Sequence, residues 1–173
     1  ILGHPLTRGL DIDDPNTTEL RKEIILSKPF LCKVYRQWYS LIAENLPAED
    51  GPVLELGSGA GFLKDYVPGL ITSDIMPVRG CELACNALHL PFADTSLRAI
   101  VMMNVLHHIA DSGHFFQEAS RCIRNEGRVI MIEPWVSDWS RFVFSRFHHE
   151  PFDPGAESWI LPESGPLSGG NDA

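Results

Sequence analysis

The sequence predicts an α/β fold, a mainly parallel sheet, doubly wound with helices on both faces, preceded by a helical cover that contributes no strand. Three observations carry that expectation. From residue 53 onward, short apolar runs alternate with helical or loop segments, the texture of a parallel sheet built through crossovers. The first of these runs, Val53-Leu-Glu-Leu56, ends in glycines at alternate positions, Gly57-Ser-Gly59-Ala-Gly61. Before residue 53 the apolar positions repeat at helical spacing instead.

Taken in order, residues 11–16 are acidic and turn-like, and Asn16-Thr-Thr-Glu19 has the spacing of a capping box that opens a helix through Ile24, Ile25 and Leu26. Ser27 with Pro29 just inside marks a second start. Phe30, Leu31, Val34, Tyr35, Trp38, Leu41, Ile42 and Leu46 then succeed one another at helical spacing until Pro47 and the polar Glu49-Asp50-Gly51-Pro52. Strands are expected at Val53–Leu56, Leu70–Asp74, weakly near Cys81–Ala84, at Ala99–Met103 and at Arg128–Ile132. Helices are expected near Gly61–Tyr66 and Gly113–Arg124, the second carrying Phe115, Phe116, Ala119, Cys122 and Ile123. After Glu133-Pro134 the pattern decays. Trp139, Phe142, Val143 and Phe147 share one helical face, but Pro151, Pro154, Pro162 and Pro166 break up the remaining chain, and Glu163 to Ala173 reads as loop or disorder. The chain therefore divides into a helical cover (1–50), a sheet core (51–134) and an irregular or helical C-terminal segment (135–173).

Composition narrows the function. A chain of 173 residues fits one domain better than two. With 44% hydrophobic and 21% charged residues, and no apolar run near the ~20 residues of a spanning helix, no membrane association is expected. The start lacks a signal peptide, although an N-terminus without Met suggests a trimmed chain, so a cytoplasmic location is expected. The four cysteines form no C-x-x-C pair, and the adjacent His148-His149-Glu150 has no third ligand spaced nearby, so no metal site is expected. A net charge of -9 without a basic cluster argues against nucleic acid.

Glycines between a strand and a helix let a ligand touch bare backbone at the positive end of a helix dipole. A dinucleotide fingerprint, G-x-G-x-x-G, would need glycine at position 62, where the chain has Phe62. Glu55, two residues ahead of Gly57, places a carboxylate beside the turn; it would repel a phosphate but could hold an ammonium group or water. Asp74 closes the next strand 17 positions after Gly57, near the ~20 expected for an acid that grips a ribose diol. Asn86, ahead of Ala87-Leu-His-Leu-Pro-Phe92, offers an amide for an adenine edge.

On these motifs the sequence resembles the class I S-adenosylmethionine-dependent methyltransferases, specifically the type 11 methyltransferase domain, over residues 53 to 133. The stretch Ile100-Val-Met-Met-Asn-Val-Leu-His-His-Ile109 matches that family as well. The resemblance implies a Rossmann-like fold, S-adenosylmethionine as cofactor with S-adenosylhomocysteine as product, and cofactor contacts at Glu55, Gly57, Ser58, Gly59, Gly61, Asp74, Ile75, Asn86, Ala87, Leu88 and Asn104. It also implies in-line transfer of a methyl group to a small-molecule acceptor, with His107, His108 and Glu133 as candidates for a general base. Tyr35 or Tyr39 could reach the methionine part. Three departures stand out: Asn86 where the family has Asp, Arg98 where an acid opens the fourth strand, and Asn125-Glu-Gly127 for Pro-Gly-Gly. The family's sheet has seven strands, and residues 134 to 173 do not read as the last two, so a fragment or a minimal sheet is expected. The apolar Trp135 to Phe147 segment could then pack on a second copy as a homodimer. A domain that binds the cofactor without turnover is the alternative, and after it a nicotinamide-dependent oxidoreductase.

Overall fold

Prolines set both helical starts. In the computed structural model, which describes residues 5–147, 152–158, 160–161 and 170–171, helix α1 spans Pro15–Ser27 and α2 spans Pro29–Glu44. A proline at the first helical position brings a preset φ and lacks an N–H that would go unpaired there anyway. The cap of α1 is accordingly Asp14 rather than Asn16: Asp14 Oδ1 accepts from the Asn16 N–H at 2.8 Å. Ser27 caps nothing; its hydroxyl donates to the Ile24 carbonyl at 2.9 Å, and Lys28 precedes α2 without a side-chain cap bond.

The sheet contains β1 (Val53–Leu56), β2 (Leu70–Asp74), β3 (Leu83–Ala84), β4 (Leu97–Met103) and β5 (Ile123–Ile132). Its order is β3-β2-β1-β4-β5, and every neighbouring pair is parallel. β1 lies in the middle, with Val53 paired to both Leu70 and Ala99. Alternation along the strands sends side chains to opposite faces. Val53, Leu70, Ala99 and Val101 pack with Tyr39 and Ile42 of α2, whereas Leu54, Leu56, Ile100 and Met102 pack with Phe115, Ala119 and Cys122 of α3 (Ser112–Cys122). Helices thus cover both faces, as expected.

Two expectations change. The segment Gly61–Tyr66 is no α-helix but a single 3₁₀ turn at Leu63–Asp65, because Pro68-Gly69 comes too soon for a helix to propagate. β5 starts five residues early, directly after α3, and absorbs Arg124–Gly127 as an irregularity: Leu97 pairs with Ile123, but Ala99 already pairs with Arg128. A Cβ on Gly127 would lie 2.8 Å from the Arg98 carbonyl oxygen, so this bend requires glycine.

Beyond β5, α4 (Asp138–Phe147) carries the expected aromatic face, with Trp139 largely exposed. The C-terminal segment returns to the sheet's carboxyl end, where the Leu161 N–H donates to the Ala110 carbonyl and the Asn171 N–H to that of His107, at 2.8 and 2.9 Å. His148, His149 and Glu150 lie outside the described residues, as does most of the tail expected to be loop.

Candidate cofactor and active site

The glycine turn leaves β1 at the carboxyl end of the sheet and is stitched to the end of β2. The Ser58 N–H donates to the Ser73 carbonyl at 2.8 Å, Ser73 N–H to Ser58 Oγ at 3.1 Å, and Ser73 Oγ to the Glu55 carbonyl at 2.7 Å. The Gly59 N–H donates to Asp74 Oδ2 at 3.1 Å, and Met76 N–H to Asp74 Oδ1 at 3.0 Å. Two of the glycines are required by close approach. At Gly57, where φ is +64°, a Cβ would overlap Val105 Cγ2. At Gly61 it would sit 2.8 Å from both the Ser58 carbonyl oxygen and Tyr39 Oη.

Tyr39 is fully buried, and its hydroxyl accepts from the Phe62 N–H at 3.1 Å. It thereby holds the turn from α2. Phe62, which replaces the third fingerprint glycine, packs edge-on against the Tyr39 ring with centroids 4.8 Å apart. Sequence spacing marks Tyr39 as core and does not reveal its hydroxyl's anchoring bond.

Two carboxyl groups lie buried beside the turn, Glu55 and Asp74. Burial, reinforced by the Asp74 charge and opposed by the hydrogen bond Ser58 Oγ donates at 2.7 Å, pushes Glu55 up to about 7. Burial also raises Asp74, against the backbone N–H groups of Met76, Gly59 and Ile75. Neither forms an ion pair among the described residues. A desolvated acidic wall of this kind favours a ligand bearing positive charge. Thr18 of α1 closes the cradle from above: a Cβ on Gly59 would lie 3.3 Å from Thr18 Cγ2 and 3.4 Å from Asp74 Oδ2. Thr18 Oγ1 is buried without a hydrogen-bond partner among the described residues, which costs about 1–3 kcal/mol until something pairs with it. Bare backbone, acidic walls and an orphaned hydroxyl fit an adenosyl sulfonium compound.

The other expected contacts gather less tightly. The Cys85 N–H donates to the Asp74 carbonyl at 2.9 Å, so the loop after β3 starts alongside the cradle. Within it Asn86 is exposed and spends its Oδ1 on the Leu88 N–H at 2.9 Å, while Ala87 and Leu88 pack on the core. Arg121 and Glu118 of α3 clamp this loop: Arg121 donates to the carbonyls of Phe92 and Leu90, and Glu118 accepts from the Leu90 N–H. Ile75 is exposed past β2. Asn104 lies just after β4 with φ +56°, a conformation asparagine tolerates.

The three base candidates divide. His107 Nδ1 lies 2.7 Å from Glu133 Oε2, and Glu133 Oε1 accepts from the Val105 and Leu106 N–H groups at 3.0 and 2.9 Å. Burial acts to raise the Glu133 carboxyl, but these bonds outweigh it and hold the group below its ordinary range. His108 is pushed down to about 4, by burial first and then by His107, so it is neutral at pH 7. His107 and Glu133 line a cavity of about 280 Å³ with Leu106, Pro134, Asp153 and Leu161. Val105 links cavity and cradle, since its amide is held by Glu133 while its side chain fills the space beside Gly57. Among the described residues no cluster of three or more His, Cys, Asp or Glu is placed to hold a metal ion, and no helix is long and apolar enough to cross a membrane.

The fold is that of a Rossmann-like α/β protein whose glycine turn lies at the carboxyl ends of β1 and β2. A family profile described as "Methyltransferase domain" matches residues 54–131. A "Probable S-adenosylmethionine-dependent methyltransferase" of Mycobacterium tuberculosis is 26% identical over 131 residues, covering 67% of this chain and 45% of the relative. The chain thus spans about half the length of the curated relatives it matches. Among solved structures, the YcgJ protein from Bacillus subtilis is similar with a TM-score of 0.51 and 22% identity, covering 64% of this chain and 56% of that one. A SAM-dependent methyltransferase from Aquifex aeolicus is similar with a TM-score of 0.52 and 17% identity, over 72% and 76%. At those identities the structures speak for the fold alone. Residues 54–131 thus match the methyltransferase-domain family, and the curated relatives they resemble are named as probable S-adenosylmethionine-dependent methyltransferases.

Proposed function

We propose that the protein transfers a methyl group from S-adenosylmethionine to a small-molecule acceptor. The observation that carries this is the contact of Gly59 N–H with Asp74 Oδ2 at 3.1 Å, beside buried Glu55. It sets bare backbone and two carboxyl groups around one point at the end of β1. In this reading Asp74 grips the ribose diol, the Gly57–Gly61 turn supports the amino-acid half, and Glu55 holds the ammonium group directly or through water. The loop from Asn86 lies beside adenine, its contact made through Ala87 and Leu88 more than through the Asn86 oxygen.

When bound, the cofactor supplies an electrophilic methyl group that an acceptor removes from sulfur by in-line displacement. The chain's own residues then need mainly to orient the acceptor and exclude water. The cavity beside His107 and Glu133 is the acceptor's place in this proposal, because Glu133, which lines it, holds the amide of Val105, whose side chain packs against Gly57. Glu133 holds the Val105–His107 turn and steadies His107, which is the stronger base candidate of the two histidines because His108 loses its proton far below neutrality. Four free cysteines are compatible with the cytoplasmic setting expected from the sequence.

Calorimetry with S-adenosylmethionine tests the proposal. Asp74→Ala is expected to weaken binding by roughly 1.5–3 kcal/mol, the worth of hydrogen bonds to a charged group. Equal affinity of wild type and variant would remove Asp74 from the site, and a wild type that does not bind would remove the cofactor.

A further inference from the structure

Threonine inside a helix ordinarily satisfies its hydroxyl by bonding back to the carbonyl one turn earlier. Thr18 makes no such bond: its Oγ1 is buried and has no partner among the described residues, although the residue is only 5% exposed. Its methyl branch lies at the cradle. Thr18 Cγ2 and Asp74 Oδ2 stand 3.3 and 3.4 Å from the same point, the place a Cβ on Gly59 would occupy. Lys22, one turn further along the same helix face, is near enough for its charge to act on Glu55. α1 therefore lies across the cradle, with Thr18 over the acid that closes β2.

We propose that Thr18 is a cofactor-binding residue, its hydroxyl pairing with a ribose hydroxyl of the adenosyl ligand that Asp74 grips from the other side. This rests on the proposed cofactor assignment and extends it to α1, which becomes part of the binding site and not merely a cover over it. The ligand gives the orphaned hydroxyl its partner, so ligand binding and the seating of α1 are coupled.

Thr18→Val keeps the shape and removes the hydroxyl; Thr18→Ser keeps the hydroxyl. Each is compared with wild type for ligand-free thermal stability and for calorimetric affinity toward two probes, S-adenosylmethionine and 5′-methylthioadenosine, which share the ribose but not the amino-acid half. The expected result is a Thr18→Val protein at least as stable as wild type without ligand, binding both probes roughly tenfold more weakly, about 1.4 kcal/mol, with Thr18→Ser restoring most of the affinity. Thr18→Val binding both probes like wild type overturns the proposal. So does a loss confined to S-adenosylmethionine, which would move the contact to the amino-acid half, or a drop in ligand-free stability, which would mean the hydroxyl is already engaged. A wild type that binds neither probe defeats the cofactor assignment itself, an outcome distinct from all of these.

Discussion

Gly61→Ala isolates the steric claim at the heart of the turn. The added methyl would meet the Ser58 carbonyl oxygen and Tyr39 Oη, each at 2.8 Å, closer than real Cβ atoms approach oxygen. Neither neighbour can yield without loss. The Ser58 carbonyl already accepts from Gly61 N–H at 2.7 Å, and Tyr39 Oη accepts from Phe62 N–H at 3.1 Å while the ring is sealed in the core beneath. Overpacking of this sort costs about 1–3 kcal/mol, and displacing the tyrosine hydroxyl adds about 1 kcal/mol for the hydrogen bond it accepts. The variant should therefore be destabilised by roughly 2–4 kcal/mol in urea titrations, with a Tm lower by about 4–16 °C for a domain of this size. Tyr39→Phe provides the internal control. Because it removes the obstructing oxygen, the double variant should be less destabilised than the two single costs added, by about 1 kcal/mol or more. A Gly61→Ala protein within ~0.5 kcal/mol of wild type, or strictly additive variants, would refute the packing around this glycine.

The buried and clamped groups give two further outcomes. Glu55 titrates near 7 in the fold, above its ordinary 4.5, so folding favours its protonated form: its contribution is complete below about pH 4.5 and is lost as pH rises toward 7. Glu55→Gln should thus flatten the fall in stability between pH 5 and pH 8, by up to about 3 kcal/mol, and an unchanged pH slope would show that Glu55 is not the titrating group. Arg121→Ala should free the loop whose Leu90 and Phe92 carbonyls it holds, seen as faster hydrogen exchange at the Leu90 amide; exchange at the wild-type rate would mean the clamp does not hold the loop.

Much of this molecule is legible in the residues themselves. Apolar runs of strand length, and an acid closing the second of them, are local signals; β1 and β2 fall where their patterns place them, and Asp74 arrives beside the glycine turn because parallel neighbours bring equivalent strand ends together. Phe62 in place of a third glycine is likewise visible in the chain. Misplaced helix caps and the missing helix after Gly61 have local causes too, since Pro15, Pro29 and Pro68 outweigh cap spacing and apolar period.

Other features exist only once the chain has folded. The Tyr39 hydroxyl reaches the Phe62 amide across 23 positions, and Glu133 reaches the Val105 amide across 28. Thr18, which reads as one residue of a capping box, becomes the buried neighbour of Gly59. Periodicity and turn chemistry act over a few residues, so a sequence can declare strands and turns. Which polar atom fills which gap depends on how α1 and α2 come to rest over the sheet, and that is settled by packing among residues far apart in the chain.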